Sequence, residues 1–281
     1  MTAQATVTTP CEPDLELSRR FLGGSDPPGR VILCSVTGSH YYGFPSPDSD
    51  IDLKGIYLAP TAMFLGLTRA PEGYDLVDTF EGVEFDLTLT EARQALDLLL
   101  RGNGNMLERI MSPYQLLSDS DELEPLRELA LGSISKKFYR HYHGFFRGTC
   151  REHERTAKPR AKTLLYAYRV ALTGIHLLKS GELEADLRKN AVEYGYHEAL
   201  ELADFKQEAG EKAIVSPEED RLHRGNWARL GRDLELAHGS SELPEQANNT
   251  DACAQWLIEL RLMAFERAEA ELGFGPDDPP W

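Results

Sequence analysis

The stretch VILCSVTGSHYYGFPSPDSDIDLKGIYL, residues 31–58, decides the fold. It opens with an apolar run, Val31 to Val36, β-branched in character and short enough for a buried strand. The run ends at Thr37-Gly38-Ser39, where a glycine permits a tight turn and a hydroxyl follows it. A second turn cluster, Gly43 to Ser49, holds two prolines and brings the chain back. Asp50-Ile51-Asp52-Leu53 then alternates acidic and apolar residues, and the alternation continues through Ile56 and Leu58. In a strand, residues two apart share a face, so Asp50 and Asp52 point together while Ile51 and Leu53 face the core. Two neighbouring carboxylates repel unless a cation joins them. A pair of Mg²⁺ ions about 3.5–4 Å apart, clamping a phosphoryl displacement, needs such an arrangement.

Asp48-x-Asp50-x-Asp52 also begins like a calcium loop of the EF-hand type. That loop requires glycine directly after the third acid, and Leu53 stands there with no helical pattern on either side.

Gly38-Ser39, Tyr42-Gly43, Ser49-Asp50-x-Asp52 and Gly55 together resemble the signature of the DNA polymerase β-type nucleotidyltransferase superfamily. The spacing is most similar to the branch linked to bacterial RNA repair. The resemblance is specific over residues 31–115 and thinner beyond. It implies an α+β fold: a small mixed β-sheet nucleotidyltransferase core with helices over 26–118, followed by an all-α helical domain over 119–272. In that superfamily the Gly-Ser pair holds the β- and γ-phosphates of the incoming nucleotide, which here falls to Gly38 and Ser39. A third carboxylate on a neighbouring strand completes the metal site.

Two strand-like runs, Tyr74–Phe80 and Val83–Leu89, flank a short turn at Glu81-Gly82. In the second, Phe85, Leu87 and Leu89 face one way and Glu84, Asp86 and Thr88 the other. Asp86 fits the place of the third carboxylate, with Glu84 as its competitor; Thr90 is the expected cap of a helix over Glu91 to Leu100. The block Gly102-Asn103-Gly104-Asn105-x-x-Glu108 resembles one in the same branch, with Asn105 expected to cap a short helix.

The 281 residues suffice for one large domain or two small ones. No apolar stretch approaches the ~20 residues of a membrane span, and the amino-terminal residues lack the pattern of a secretion signal. Four scattered cysteines (Cys11, Cys34, Cys150, Cys253) without a CxxC pair fit a cytoplasmic protein with neither zinc nor a disulfide framework. Residues 1–25 are expected to be a disordered arm, with Leu17 to Leu22 closing a short helix, and 273–281 a tail.

The net charge of −16 is unevenly spread. Between Ser133 and Val170 ten Lys/Arg face only Glu152 and Glu154, so this segment carries +8 and the rest −24. Such an island suits a polyphosphate or nucleic-acid backbone. Ala161–Lys179 has helical periodicity, with Lys162, Tyr166, Arg169, Thr173 and His176 along one side. Lys162, Arg169 and Tyr166 are the expected contacts to the triphosphate. Arg147, Arg151, Arg155 and Arg160, interleaved with aromatics, are the expected contacts to an acceptor strand. Lower-contrast helices are expected over 191–207, 217–236 and 252–272.

The resemblance implies a nucleoside monophosphate moved from an NTP, ATP as first choice, to an acceptor hydroxyl with release of pyrophosphate. Two Mg²⁺ ions, or Mn²⁺, would sit on Asp50, Asp52 and Asp86. An RNA 3′ end is the first acceptor, a protein hydroxyl the second and an antibiotic-type small molecule the third. Two other readings are a helical ribonuclease module, from Arg147-x₅-His153 or Arg169-x₆-His176, and a nucleotide sensor without catalysis.

Overall fold

The computed structural model describes residues 12–67 and 69–271. Its first element is α1 (Leu15–Gly23), capped by the Asp14 carboxylate, which accepts from the Leu17 N–H at 2.9 Å. The short helix expected over Leu17 to Leu22 is present and longer, and the arm is corrected over residues 15–23. Leu17, Phe21 and Leu22 recur at helical spacing and are buried, and Phe21 stacks on Phe85 with centroids 4.3 Å apart. The first eleven residues and the expected tail lie outside the described residues.

Next come β1 (Arg30–Val36), the one-turn α2 (Gly38–Tyr41), β2 (Ile51–Leu58), α3 (Ala62–Leu65), β3 (Gly73–Phe80) and β4 (Val83–Glu91). The sheet order is β1-β2-β4-β3: β2 pairs antiparallel with β1 and parallel with β4, and β3 closes as a hairpin on β4. Glu81 and Gly82 make that hairpin turn, both with positive φ (50° and 87°), as a two-residue turn between right-twisted strands requires.

The strand β4 runs two residues past the expected end, so α4 (Ala92–Leu100) is capped by Glu91, whose carboxylate accepts from Arg93 N–H, and not by Thr90. The Thr90 hydroxyl is taken up instead by the buried Arg109 guanidinium at 2.9 Å. Likewise α5 (Gly104–Met111) is capped by Asn103, not Asn105, through a 3.1 Å bond from Met106 N–H.

The rest is helical: α6 (Leu123–Gly132), α7 (Phe138–Arg155), α8 (Ala161–Ser180), α9 (Leu187–Glu193), α10 (Glu198–Ala209), α11 (Pro217–Gly225), α12 (Trp227–Ser240) and α13 (Thr250–Glu271). Among the described residues no helix is long and apolar enough to cross a membrane. The helix α8 is buried on most of its circumference and packs against α7, α12, α9 and α10. One apolar cluster runs from Ile32 and Phe44 beneath the sheet through α4 to α8 and on to Leu260, so the strand-rich and helical halves share a core. A second cluster on the other sheet face is closed by α1.

Candidate active site

The parallel register of β2 and β4 sets Asp52 opposite Asp86 and Lys54 opposite Thr88, while Glu84 lies one pair beyond on an exposed stretch. Asp50 sits just before β2, so three carboxylates line one face at the strand ends. Asp52 is the most enclosed of them. Burial pushes its carboxyl pKa up to about 6, with the nearby Asp50 adding to the rise.

The turn after β1 is shaped around Asp52. Gly38 has φ +63°, and a Cβ there would lie 1.8 Å from Asp52 Oδ2. Thr37 N–H donates to the Asp52 carbonyl at 2.9 Å. Beside it Ser39 is 2% exposed, and its hydroxyl has no hydrogen-bond partner among the described residues. Gly38→Ala is therefore expected to cut turnover at least about 100-fold, roughly 2.7 kcal/mol of barrier, by driving Asp52 out of line. The left-handed backbone costs about 1 kcal/mol of stability in addition. Steady-state rates beside a thermal melt check both; an active Gly38→Ala enzyme would mean that the close approach is incidental.

Two lysines stand among the carboxylates. Lys54 Nζ lies 3.0 Å from Asp86 Oδ1 and 3.8 Å from Asp52 Oδ1. Lys162, from the first turn of α8, lies 3.8 Å from Asp50 Oδ1 and is in close contact with Glu211. The Glu211 carboxylate also meets Lys206 at 2.5 Å. Burial works against its charge, but the two ammonium groups outweigh it and hold the pKa below the usual carboxylate range. Lys206 is wholly buried and donates to Ser46 Oγ (3.1 Å) and Ser49 Oγ (3.0 Å), and Glu211 N–H donates to Asp48 Oδ1 (2.9 Å). Asp48 is thus turned toward the loop after α10, away from the pair it precedes. The loop carrying Pro45 to Ser49 is stapled to the helical half.

Tyr166 is half-buried, its ring edge-on to Tyr42 (5.9 Å) and Phe44 (5.7 Å), and burial together with Asp52 pushes its phenol pKa up. Arg169 is a correction to the expected set of triphosphate contacts. It is 1% exposed, donates to both Glu108 oxygens (2.8 and 3.0 Å) and lies over the Tyr42 ring at 3.8 Å. Burial alone would lower its pKa, but Glu108 beside it outweighs that and raises it. The same carboxylate accepts from Tyr42 (2.8 Å) and Tyr142 (3.1 Å) hydroxyls. A guanidinium so engaged cannot reach a phosphate without breaking a buried ion pair.

Arg147, Arg151 and Arg155 recur every four residues on the exposed face of α7, and the exposed Arg160 directly precedes α8, two residues before Lys162. Arg151 and Arg155 line a shallow groove of about 370 Å³. The histidines of the two Arg…His pairs are engaged elsewhere: His153 is buried 2.6 Å from Asp220, and His176 meets Tyr194 at 3.1 Å.

Gly38, Ser39, Asp50, Asp52, Asp86, Lys162 and Tyr166 are thus gathered at one place. Lys54, Glu211 and Lys206 were not anticipated. The period-2 face on which Lys54 shares a side with Asp52 was legible; nothing in the sequence ties Glu211 and Lys206 to this loop.

The donor set is all oxygen, which suits Mg²⁺. Asp50 Oδ1 is buried without a hydrogen-bond partner among the described residues, and Gly38 leaves Asp52 the space a side chain would fill. As they stand, no three His, Cys, Asp or Glu side chains among the described residues converge closely enough to enclose an ion. The Lys54 ammonium is placed between Asp52 and Asp86, where such convergence would occur.

A glycine turn packed on Asp52, with Asp86 across a parallel pair and Asp50 just ahead of the strand, is in keeping with the DNA polymerase β-type family that the chain matches. Residues 19–259 match the family described as RlaP, RNA repair pathway DNA polymerase beta family, and the chain belongs to it. The chain is 27% identical over 221 residues to the uncharacterized protein MJ0002 of Methanocaldococcus jannaschii, covering 78% of this chain and 89% of that one. It is 23% identical over 157 residues to the uncharacterized protein YcgL of Bacillus subtilis, 55% of this chain and 58% of that one. A crystal structure of a nucleotidyltransferase-like protein from Exiguobacterium sibiricum covers 95% of this chain and 81% of its own, at 12% identity and a TM-score of 0.31.

Proposed function

We propose that this protein transfers a nucleoside monophosphate from an NTP, with ATP as first choice, to the 3′ hydroxyl of an RNA, releasing pyrophosphate. The observation that carries the reading is the Asp52–Asp86 register beneath the Gly38 turn. Asp50, Asp52 and Asp86 would hold two Mg²⁺ ions, or Mn²⁺, which when bound offset triphosphate charge and make the acceptor hydroxyl more acidic. Gly38 and Ser39 receive the β- and γ-phosphates through backbone N–H and the buried hydroxyl. Asp86 takes the proton of the acceptor hydroxyl. The acceptor oxygen bonds to the α-phosphorus as the bond from that phosphorus to the bridging oxygen breaks, and pyrophosphate leaves with the electron pair. Lys162 neutralises the charge that builds on it.

The acceptor reading is supported by the exposed Arg147, Arg151, Arg155 and Arg160 close in sequence to Lys162. Incubation with Mg²⁺, each labelled NTP and a single-stranded RNA tests both halves. Label on RNA is expected; label on the protein itself, or on neither, would reject the acceptor or the activity.

RNA binding is expected to weaken with salt despite the net charge, with log K falling by about 2 per log unit of salt for three phosphate contacts. Reversing Arg151, Arg155 and Arg160 to Glu should remove RNA binding and spare ATP binding, and Lys162→Ala should do the converse. Fluorescence anisotropy reads both; a flat salt dependence would make the arginine face a solvated helix surface only.

A further inference from the structure

The least expected group in the site is a lysine inside the metal-ligand face. Lys54 follows Asp52 by two residues on β2, so the strand period places it there, and its ammonium reaches across to β4. Four oxygens surround it: Asp86 Oδ1 at 3.0 Å, Thr88 Oγ1 at 3.2 Å, the Asp86 carbonyl at 3.4 Å and Asp52 Oδ1 at 3.8 Å. These are the hard oxygens a divalent ion would seek, and they span the two carboxylates that the register places opposite each other. Lys162 differs. It is drawn to Glu211, which leaves Asp50 Oδ1 without a hydrogen-bond donor among the described residues. The Asp50 side therefore has an ammonium only at 3.8 Å, held by Glu211 and not hydrogen-bonded to Asp50, whereas the Asp52–Asp86 side holds one in direct contact with Asp86 and Thr88.

Resting on the nucleotidyltransferase reading, we propose that Lys54 is a positioning residue that fills the cation place between Asp52 and Asp86 until nucleotide arrives. The nucleotide-free protein then takes up one divalent ion, at Asp50 and Asp52. The second enters with the triphosphate, whose roughly four negative charges draw in the additional cation as the ammonium swings aside. Lys54 meanwhile keeps Asp86 aligned and the acidic face tolerable in the empty protein. A catalytic site whose second ion comes only with substrate is not assembled for stray hydrolysis beforehand.

The test is titration of Mn²⁺ into metal-free protein without nucleotide, with free Mn²⁺ read by electron paramagnetic resonance. Wild type and Lys54→Arg are expected to bind one ion; Lys54→Met and Lys54→Gln should bind two. The second ion should bind at least about thirty-fold more tightly in the neutral variants. That is the repulsion of a unit by a double charge roughly 4 Å away even at the dielectric of water. Adding a non-hydrolysable triphosphate to wild type should raise its count to two. Two neutral replacements of different polarity, each checked by circular dichroism, guard against one that misfolds. The same single ion in wild type and both neutral variants overturns the inference alone, as do two ions in nucleotide-free wild type or in Lys54→Arg. No ion bound by any form, with or without triphosphate, overturns it together with the proposed function.

Discussion

Asp52→Asn is expected to lower nucleotide transfer by at least about 1,000-fold, roughly 4 kcal/mol of barrier, while making the metal-free protein more stable at neutral pH. The two effects have one cause. Asp52 is enclosed by the Gly38 turn and lies beside Asp50 and across from Asp86, so its carboxyl titrates near 6 instead of near 4. A carboxyl whose pKa is raised by folding costs nothing below its unfolded pKa. The cost builds as pH rises from the unfolded value to the folded one and levels off above it, where two pKa units correspond to about 2–3 kcal/mol. Asparagine has no such cost. Melts of wild type and Asp52→Asn in chelator should therefore coincide near pH 4 and separate by pH 7, with the variant higher. Asp50→Asn should lose turnover in the same way. If either variant keeps a tenth of wild-type turnover, or if Asp52→Asn is the less stable protein at pH 7, the acidic face is structural and not a site for cations.

The parts of this site that could be read from sequence are those set by period and local chemistry. Alternation by two separated Asp52 from Ile51 and Leu53, and Asp86 from Phe85 and Leu87, and β2 and β4 carry these residues in that sense, with Asp50 just ahead of β2. Glu81-Gly82 read as a turn because a glycine there relieves a positive φ. The capping residues were misplaced by one and by two positions, since Thr90 and Asn105 are chemically good caps and only the observed ends of β4 and α4 decide otherwise. Arg169 shows a deeper limit. Helical spacing puts it on the same side as Lys162 and Tyr166, but two turns along α8 that side passes from the open acidic face into the interior. What it meets there, Glu108, comes from α5 and is 61 residues away in sequence. Charge counting along a chain cannot separate a cation that faces solvent from one that is matched inside. Lys54 was passed over for the same reason: a lysine on a strand reads as solvated until its neighbour strand is known to bring Asp86 to it.

Glu108→Ala is expected to be the most destabilising single change in the molecule outside the apolar core, at about 3–5 kcal/mol, because it leaves the Arg169 charge buried without a partner. Both side chains are only 1% exposed, so solvent cannot take the carboxylate's place. Arg169→Met should cost less than Glu108→Ala, since the orphaned carboxylate still accepts from Tyr42 and Tyr142. The informative protein is the double variant Glu108→Leu with Arg169→Met. Removing both charges removes the desolvation cost of each, so stability should return to within about 1–2 kcal/mol of wild type. Activity should not return with it. Tyr42 is anchored by Glu108 and by the Arg169 guanidinium over its ring, and the chain passes from Tyr42 through Gly43 and Phe44 into the loop that ends at Asp50. That loop is held at its far side by Lys206 and Glu211, again from the helical half. The helices thus grip the segment between the Gly38 turn and Asp50 at both ends, and the buried ion pair is one of the two grips. Chemical denaturation of wild type, Glu108→Leu, Arg169→Met and the double variant in a double-mutant cycle gives the coupling, and transfer assays on the stable double variant give the positioning. Recovery of stability together with full turnover would reduce the pair to a packing element; failure of the double variant to regain stability would mean that the tyrosine hydroxyls cannot be left without Glu108.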